Sequence, residues 1–293
     1  MWNPFAKRTP PPPPRLEVEQ LWVYPIKSCR GSMISQSDYT SEGLSFDRQW
    51  MIVDAESHKF LTARTIPKMV LIHPVINHEH GTLDITVPGP SSAAASKTFQ
   101  VPLAHPTTYL RDPEHDPSLD HDFVVWGCDP LDGYAVGSSG LVDALSDFMG
   151  KRVLLIRKGL TTRTVSEVPG VLHSDGLDPV LGFADFYSLL VATSTSLAEL
   201  TSRIPSVADA PEFNSSRWSP DEISSRGGIE VERFRPNIVI KGTTTPFEED
   251  GWKLIAIRPS SDSNPRSGPR PLEARQAGDD VEAGQGRGEE EIE

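Results

Sequence analysis

From Leu16 to Val101 the apolar positions recur at the two-residue spacing of half-buried strands. Leu16 and Val18 alternate with Glu17 and Glu19, and Leu21 to Tyr24 then form a continuous apolar run that Pro25 ends. Trp50 to Val53 is a second short apolar run, the pattern of a strand covered on both faces. Val70 to Ile76 and Leu83 to Val87 flank Asn77-His78-Glu79-His80-Gly81, which predicts a hairpin. In its second strand Leu83, Ile85 and Val87 alternate with Thr82, Asp84 and Thr86, so one face is wet. Short strands at such close spacing point to a small barrel or a curled sheet.

Pro88 to Lys97 reads as a small-residue loop, and the acidic, proline-broken stretch Arg111 to Asp122 as a domain junction. Phe123 to Trp126 is a strand candidate. The spacing then becomes helical: Leu141, Val142, Leu145, Phe148 and Met149 form a stripe behind Ser139, with Gly150 at the stop position. A second helix is expected from Ser196, with Glu199 at capping-box spacing. Leu197, Leu200 and Ile204 form its stripe, and Pro205 is expected to end it. Val153 to Ile156, Leu189 to Ala192, Ile238 to Ile240 and Trp252 to Ile257 read as strands, and Val207 to Ser225 as a polar surface insertion. The expected class is mixed, β-rich α+β, with a few helices.

Four segments follow from these patterns. Residues 1–15, with Pro10 to Pro14, read as a stiff proline-rich leader. Residues 16–122 form the first domain and 123–257 the second. Residues 258–293 have almost no aliphatic side chains and read as a disordered acidic tail, unable to bury enough surface to offset its ordering entropy.

A net charge of −13 argues against general nucleic-acid binding, which needs a basic footprint, but does not exclude a local anion pocket. The 2 cysteines, Cys29 and Cys128, rule out a disulfide framework and an all-cysteine zinc site and fit a reducing compartment, cytoplasmic or mitochondrial. No run approaches the ~20 apolar residues of a membrane-spanning helix.

Residues able to do chemistry fall in short clusters. Tyr24-Pro25-Ile26-Lys27-Ser28-Cys29-Arg30-Gly31 ends a strand and turns through an ammonium and a hydroxyl, a pairing suited to phosphate. Arg48, after Asp47, and Arg64, after Thr62-Ala63, could make forked bonds to phosphate oxygens; the alternative is a surface ion pair with Asp47 or Asp54. Phe234-Arg235-Pro236-Asn237 precedes a strand. The proline is expected to hold Arg235 extended, so that Arg235 and Asn237 point the same way. His78 and His80 share a turn without a third metal ligand.

In this order the clusters resemble a known family. Tyr24 to Gly31, Phe46-Asp47-Arg48-Gln49-Trp50-Met51-Ile52-Val53 and Phe60-Leu61-Thr62-Ala63-Arg64 resemble the amino-terminal β-barrel domain that accompanies MOSC domains. Asp185, Ser194-Thr195-Ser196-Leu197, Phe234 to Ile240 and Pro246 to Trp252 look like the MOSC domain itself. The likeness runs from about Leu16 to Ile257 and is strongest to amidoxime-reducing components and the carboxyl-terminal part of molybdenum cofactor sulfurases. It implies a small amino-terminal β-barrel-like domain packed on a β-barrel MOSC domain with a few helices, and a molybdopterin-type molybdenum cofactor held between the two domains. Lys27, Ser28, Arg48, Arg64, Arg235 and Asn237 would grip its phosphate and pterin, with Asp185 and Thr193 as secondary contacts. It also implies a cytochrome b5-type electron donor and reduction of N-hydroxylated small molecules.

The sequence departs from that pattern in one respect. Such reductases reach a molybdenum-ligating cysteine beyond the Trp252 strand, and no cysteine follows Cys128 here. Cys29 and Cys128 are expected to be packing residues. Three readings follow: a competent reductase with another ligand, a non-catalytic cofactor-binding or carrier module, and an inactive form truncated in its last strands. No pyridoxal phosphate domain of the kind full-length sulfurases carry is expected in this length.

Overall fold

The computed structural model of the protein describes residues 16–91, 93–106, 132–161, 163–164, 180–185, 187–208, 229–252, 255–259 and 272–276. The proline-rich leader, the Arg111 to Asp122 junction, the Phe123 to Trp126 strand, Cys128 and nearly all of the Val207 to Ser225 insertion lie outside the described residues.

The architecture is β-rich with two α-helices among the described residues. Strands β1 (Glu17–Val23), β2 (Ser32–Ile34), β3 (Tyr39–Thr40), β4 (Gly43–Leu44) and β5 (Trp50–Asp54) come first. They are followed by β6 (His73–Asn77), β7 (Thr82–Val87), β8 (Lys97–Pro102) and β9 (Gly133–Val136). Helix α1 (Ser139–Met149) leads into β10 (Val153–Lys158), β11 (Arg163–Thr164), β12 (Val180–Leu181) and β13 (Val191–Thr193). Helix α2 (Ser194–Ala208), β14 (Ile238–Lys241), β15 (Ile255–Pro259) and β16 (Leu272–Gln276) complete the order.

Three sheets carry the fold: β13-β14-β1-β2, β5-β10-β9 and the antiparallel meander β6-β7-β8. The first two draw strands from both sides of residue 122. The predicted hairpin is β6-β7, and its second strand buries Leu83, Ile85 and Val87 while Thr82, Asp84 and Thr86 are half-buried. All four apolar residues of β5 are fully buried, as a strand covered on both faces requires.

Helix α1 matches its prediction closely. The Ser138 side chain caps it by accepting from the Leu141 amide, and Gly150 closes it in the left-handed conformation at φ 73°. Leu141 and Leu145 are fully buried in the largest core cluster, with Trp50, Ile52, Leu83 and Leu155. Each such leucine contributes roughly 1.5–3 kcal/mol of burial.

Two expectations change. Helix α2 begins at Ser194, not Ser196, because the Thr193 hydroxyl accepts from the Ser196 amide and takes the capping role. Glu199 instead pairs with Arg203 one turn on, and the helix continues through Pro205 to Ala208. At the other end, β15 runs past Arg258 and pairs antiparallel with β16, so part of the expected tail is a strand. The backbone pairing of Ile255–Pro259 supplies hydrogen bonds that the tail's composition did not advertise.

Register sets the position of the site. Leu21 of β1 pairs with Ile238 of β14, and the Trp22 amide donates to the Asn237 carbonyl at 2.8 Å. Just beyond β1, Ile26 bridges to Trp50, and the Lys27 amide donates to the Trp50 carbonyl at 2.8 Å. The exit of β1, the entry to β5 and the entry to β14 therefore meet at one place.

Candidate anion-binding site

At this junction lies a cavity of about 460 Å³. Its walls include Lys27, Ser28, Arg48, Arg64, Asp185, Arg235 and Asn237, seven of the eight residues singled out from the sequence. Tyr187, Leu189, Leu190, Val70 and Phe234 supply an apolar side. The eighth residue, Thr193, is not in the wall. It is buried beside the start of α2, where its hydroxyl bonds Glu249 and Ser196.

Lys27 is buried and donates to the Phe183 carbonyl at 2.7 Å and to the Asp185 carboxylate. Arg64 reaches the other oxygen of the same carboxylate at 3.8 Å from an exposed position. Asp185 thus lies between two cations. On the opposite flank Arg48 donates to Asp47, to Asn237 Oδ1 at 2.9 Å and to the Arg235 carbonyl at 3.3 Å. Asp47 is itself buried and accepts from the Tyr24 amide at 2.7 Å. The ion pair of Arg48 with Asp47 is therefore real, and it orients Arg48 toward the cavity instead of replacing its role there.

Asn237 is fully buried and connects three chain segments. Its Oδ1 also accepts from the Leu190 amide at 3.2 Å, and its Nδ2 donates to the Trp22 carbonyl at 3.2 Å. Arg235 donates to the Cys29 carbonyl, which leaves most of its fork uncommitted among the described residues. Burial, and then the neighbouring Arg48, lowers the Arg235 pKa from its usual value.

Backbone geometry marks the same place. Ser28 (φ 66°), Arg48 (φ 49°) and Arg235 (φ 58°) all occupy the left-handed region although none is glycine. Residues in that region persist where surrounding structure enforces them, often at ligand sites. Arg235 is therefore not extended, as the proline after it had implied. It follows the short 3-10 turn Val231–Arg233, and its amide donates back to the Glu232 carbonyl. Termination of that turn, together with the guanidinium's bond to Cys29, overrides the local preference.

The Cys29 thiol lies in the hydrophobic core and not in the cavity wall, and burial pushes its pKa up to about 12. It is a packing residue, as its sequence context indicated. His80 hydrogen-bonds Asn77 within the hairpin turn, and no cluster of three or more metal-capable side chains occurs among the described residues. Sequence reasoning gave Tyr24 no part beside the two arginines, its only signal being membership of the Tyr24 to Gly31 motif, and weighed Asp47 only as an alternative to a site role for Arg48.

Residues 15–113 match the MOSC N-terminal beta barrel domain. The chain's relatives are amidoxime-reducing components and molybdenum cofactor sulfurases. It is 28% identical to mitochondrial amidoxime-reducing component 1 of Mus musculus over 82% of this chain and 59% of the relative. The human protein of the same name is 26% identical over 82% of this chain and 60% of its own length. A molybdenum cofactor sulfurase of Aspergillus niger is 26% identical over 83% of this chain and 32% of the sulfurase. The chain thus spans about three fifths of the reducing components and a third of the sulfurase. A solution structure from Bordetella bronchiseptica aligns at 14% identity over 43% of this chain and 91% of its own, with a TM-score of 0.26, and carries no argument about the fold. No helix among the described residues is long and apolar enough to cross a membrane.

The residues of this cavity fit the anionic end of a molybdenum cofactor. Five cationic side chains (Lys27, Arg48, Arg64, Arg233 and Arg235), the hydroxyls of Ser28 and Thr62, the Asn237 amide and an apolar wall face a space large enough for a phosphorylated bicyclic ring, with Asp185 as the carboxylate among them. For the metal end, the wall offers no thiolate among the described residues.

Proposed function

We propose that this chain binds a molybdopterin-type cofactor in the cavity at the β1, β5 and β14 junction. One observation carries the reading: seven residues chosen for their match to MOSC motifs, spread from Lys27 to Asn237, line a single cavity. Arg48, Arg235 and Ser28 would hold the phosphate, because forked guanidinium donors and a hydroxyl match its oxygens. Lys27 and Arg64 would neutralise remaining negative charge, with Asp185 as their counter-ion in the absence of ligand. Asn237 would keep Arg48 in place, and Tyr187, Leu190 and Phe234 would exclude water from the ring.

Bound there, the cofactor would supply the two-electron chemistry by which amidoxime-reducing relatives reduce N-hydroxylated substrates, fed by a cytochrome b5-type donor. A second reading, a binding or carrier module without turnover, is favoured by the position of Cys29, whose thiol is buried away from the cavity.

Titration of the purified chain with cofactor released from a donor molybdoenzyme tests the binding claim. The expected result is pterin retained near one equivalent after desalting; no retention overturns it. With the loaded protein, oxidation of reduced cytochrome b5 that depends on an N-hydroxylated substrate selects the reductase, and its absence selects the carrier.

A further inference from the structure

Arg48 and Arg235 bring two positive charges to one flank of the cavity, and both guanidinium carbons lie over the ring of Tyr24, at 4.9 Å and 4.3 Å from its centroid. Such charges repel, and in a partly desolvated wall the repulsion is poorly screened. An aromatic face attracts each cation through its quadrupole without occupying a hydrogen-bond donor. Hydrogen-bonding supports consume donors; a π face does not.

Tyr24 is fully buried, yet its hydroxyl has no hydrogen-bond partner among the described residues. The residue's value at this position is therefore its ring and not its hydroxyl. The ring is held tightly. A Cβ placed on Gly31 would stand 2.3 Å from Tyr24 Cε1, so the backbone at Gly31 forms one wall of the ring's slot. The backbone of Tyr24 is tied to the same arginine segment: its amide donates to Asp47, and its carbonyl accepts from the Arg48 amide at 2.9 Å.

We propose that Tyr24 is a positioning residue of the anion site, its ring serving as the shared platform that holds the Arg48 and Arg235 guanidinium groups together with their donors turned to the ligand. The proposal rests on the reading of the cavity as a phosphate-binding site but does not need the ligand to contain a pterin or a metal. The ligand class it favours is a doubly charged oxyanion, for which a pair of adjacent guanidinium forks is suited.

The test is calorimetric titration of the full chain with inorganic phosphate at low salt, for wild type, Tyr24→Phe and Tyr24→Leu. Tyr24→Phe keeps the ring and is expected to bind within about twofold of wild type. Tyr24→Leu removes it, and the expected loss is about tenfold, the size of a single favourable cation–π contact. Equal losses in both variants, or none in Tyr24→Leu, overturn the proposal. The side-chain Nε–H resonances of Arg48 and Arg235 give a second readout that does not require Tyr24→Leu to fold. They are expected to show ring-current shifts in wild type that persist in Tyr24→Phe; unshifted resonances in both overturn it. Phosphate bound normally with no pterin retained would sink the cofactor reading alone and leave this one standing.

Discussion

The Lys27 ammonium and the Asp185 carboxylate form an ion pair 158 residues apart in sequence, at the wall of the cavity. Lys27 is buried, whereas the Asp185 side chain is 41% exposed. A buried cation needs a counter-charge, and Asp185 supplies it.

Replacing Asp185 by Asn leaves Lys27 short of negative charge. In anion-free buffer Asp185→Asn is expected to cost about 1–2 kcal/mol, less than a fully buried pair because solvent screens the carboxylate. Added phosphate is expected to restore the melting temperature, and to bind several-fold more tightly than to wild type, since an internal competitor is gone. Thermal melts with and without phosphate check both outcomes.

Ser28 sets function against stability. Its φ of 66° suits glycine better than serine. Ser28→Gly is expected to raise stability by up to about 1 kcal/mol and to weaken anion binding by removing a hydroxyl from the wall. A denaturant melt read beside a phosphate titration separates the two effects.

The pH dependence of stability has a defined sign. Burial, reinforced by Arg157 and Lys158, lowers the His105 pKa to about 4, and burial also lowers that of His73. Both imidazoles are thus favoured neutral in the folded chain, while the unfolded chain binds their protons near the ordinary value of about 6.5. Their contribution is present above that value and lost as pH falls toward 4. Melting temperature is expected to decline from pH 7 to pH 4.5, and His105→Gln to flatten the decline.

The thiol of Cys29 should be inert. In a Cys128→Ser background it is expected to resist a thiol reagent at pH 8 until the chain unfolds, because it is fully buried and its pKa stands near 12. Rapid labelling of the native chain would show the core around it to be open.

Much of the fold was legible because local pattern and tertiary burial agree. The alternation in β7 and the stripe, serine and glycine of α1 each specify one face or one end without help from distant residues. The site was legible differently: its residues could be picked out by motif order, while the reason they converge, the pairing of β1 with β14 and the bridge of Ile26 to Trp50, is non-local. Where tertiary structure overrode local preference, the sequence pointed elsewhere. Arg235 is left-handed despite the following proline, and Thr193 caps α2 where Ser196 and Glu199 had the better local spacing. Strand β16 lies in a stretch whose composition carries no strand pattern, and it forms through non-local pairing with β15.

The most direct test of the cofactor-binding account is the pterin content of the protein purified from a host that makes the molybdenum cofactor, measured by fluorescence after acid oxidation. Wild type is expected to carry a phosphorylated pterin, and the Arg48→Ala, Arg235→Ala double variant, shown folded by its melt, is expected to lose at least nine tenths of it, following the loss of two forked phosphate contacts. Wild type without pterin, or a double variant that retains the wild-type amount, would contradict the account.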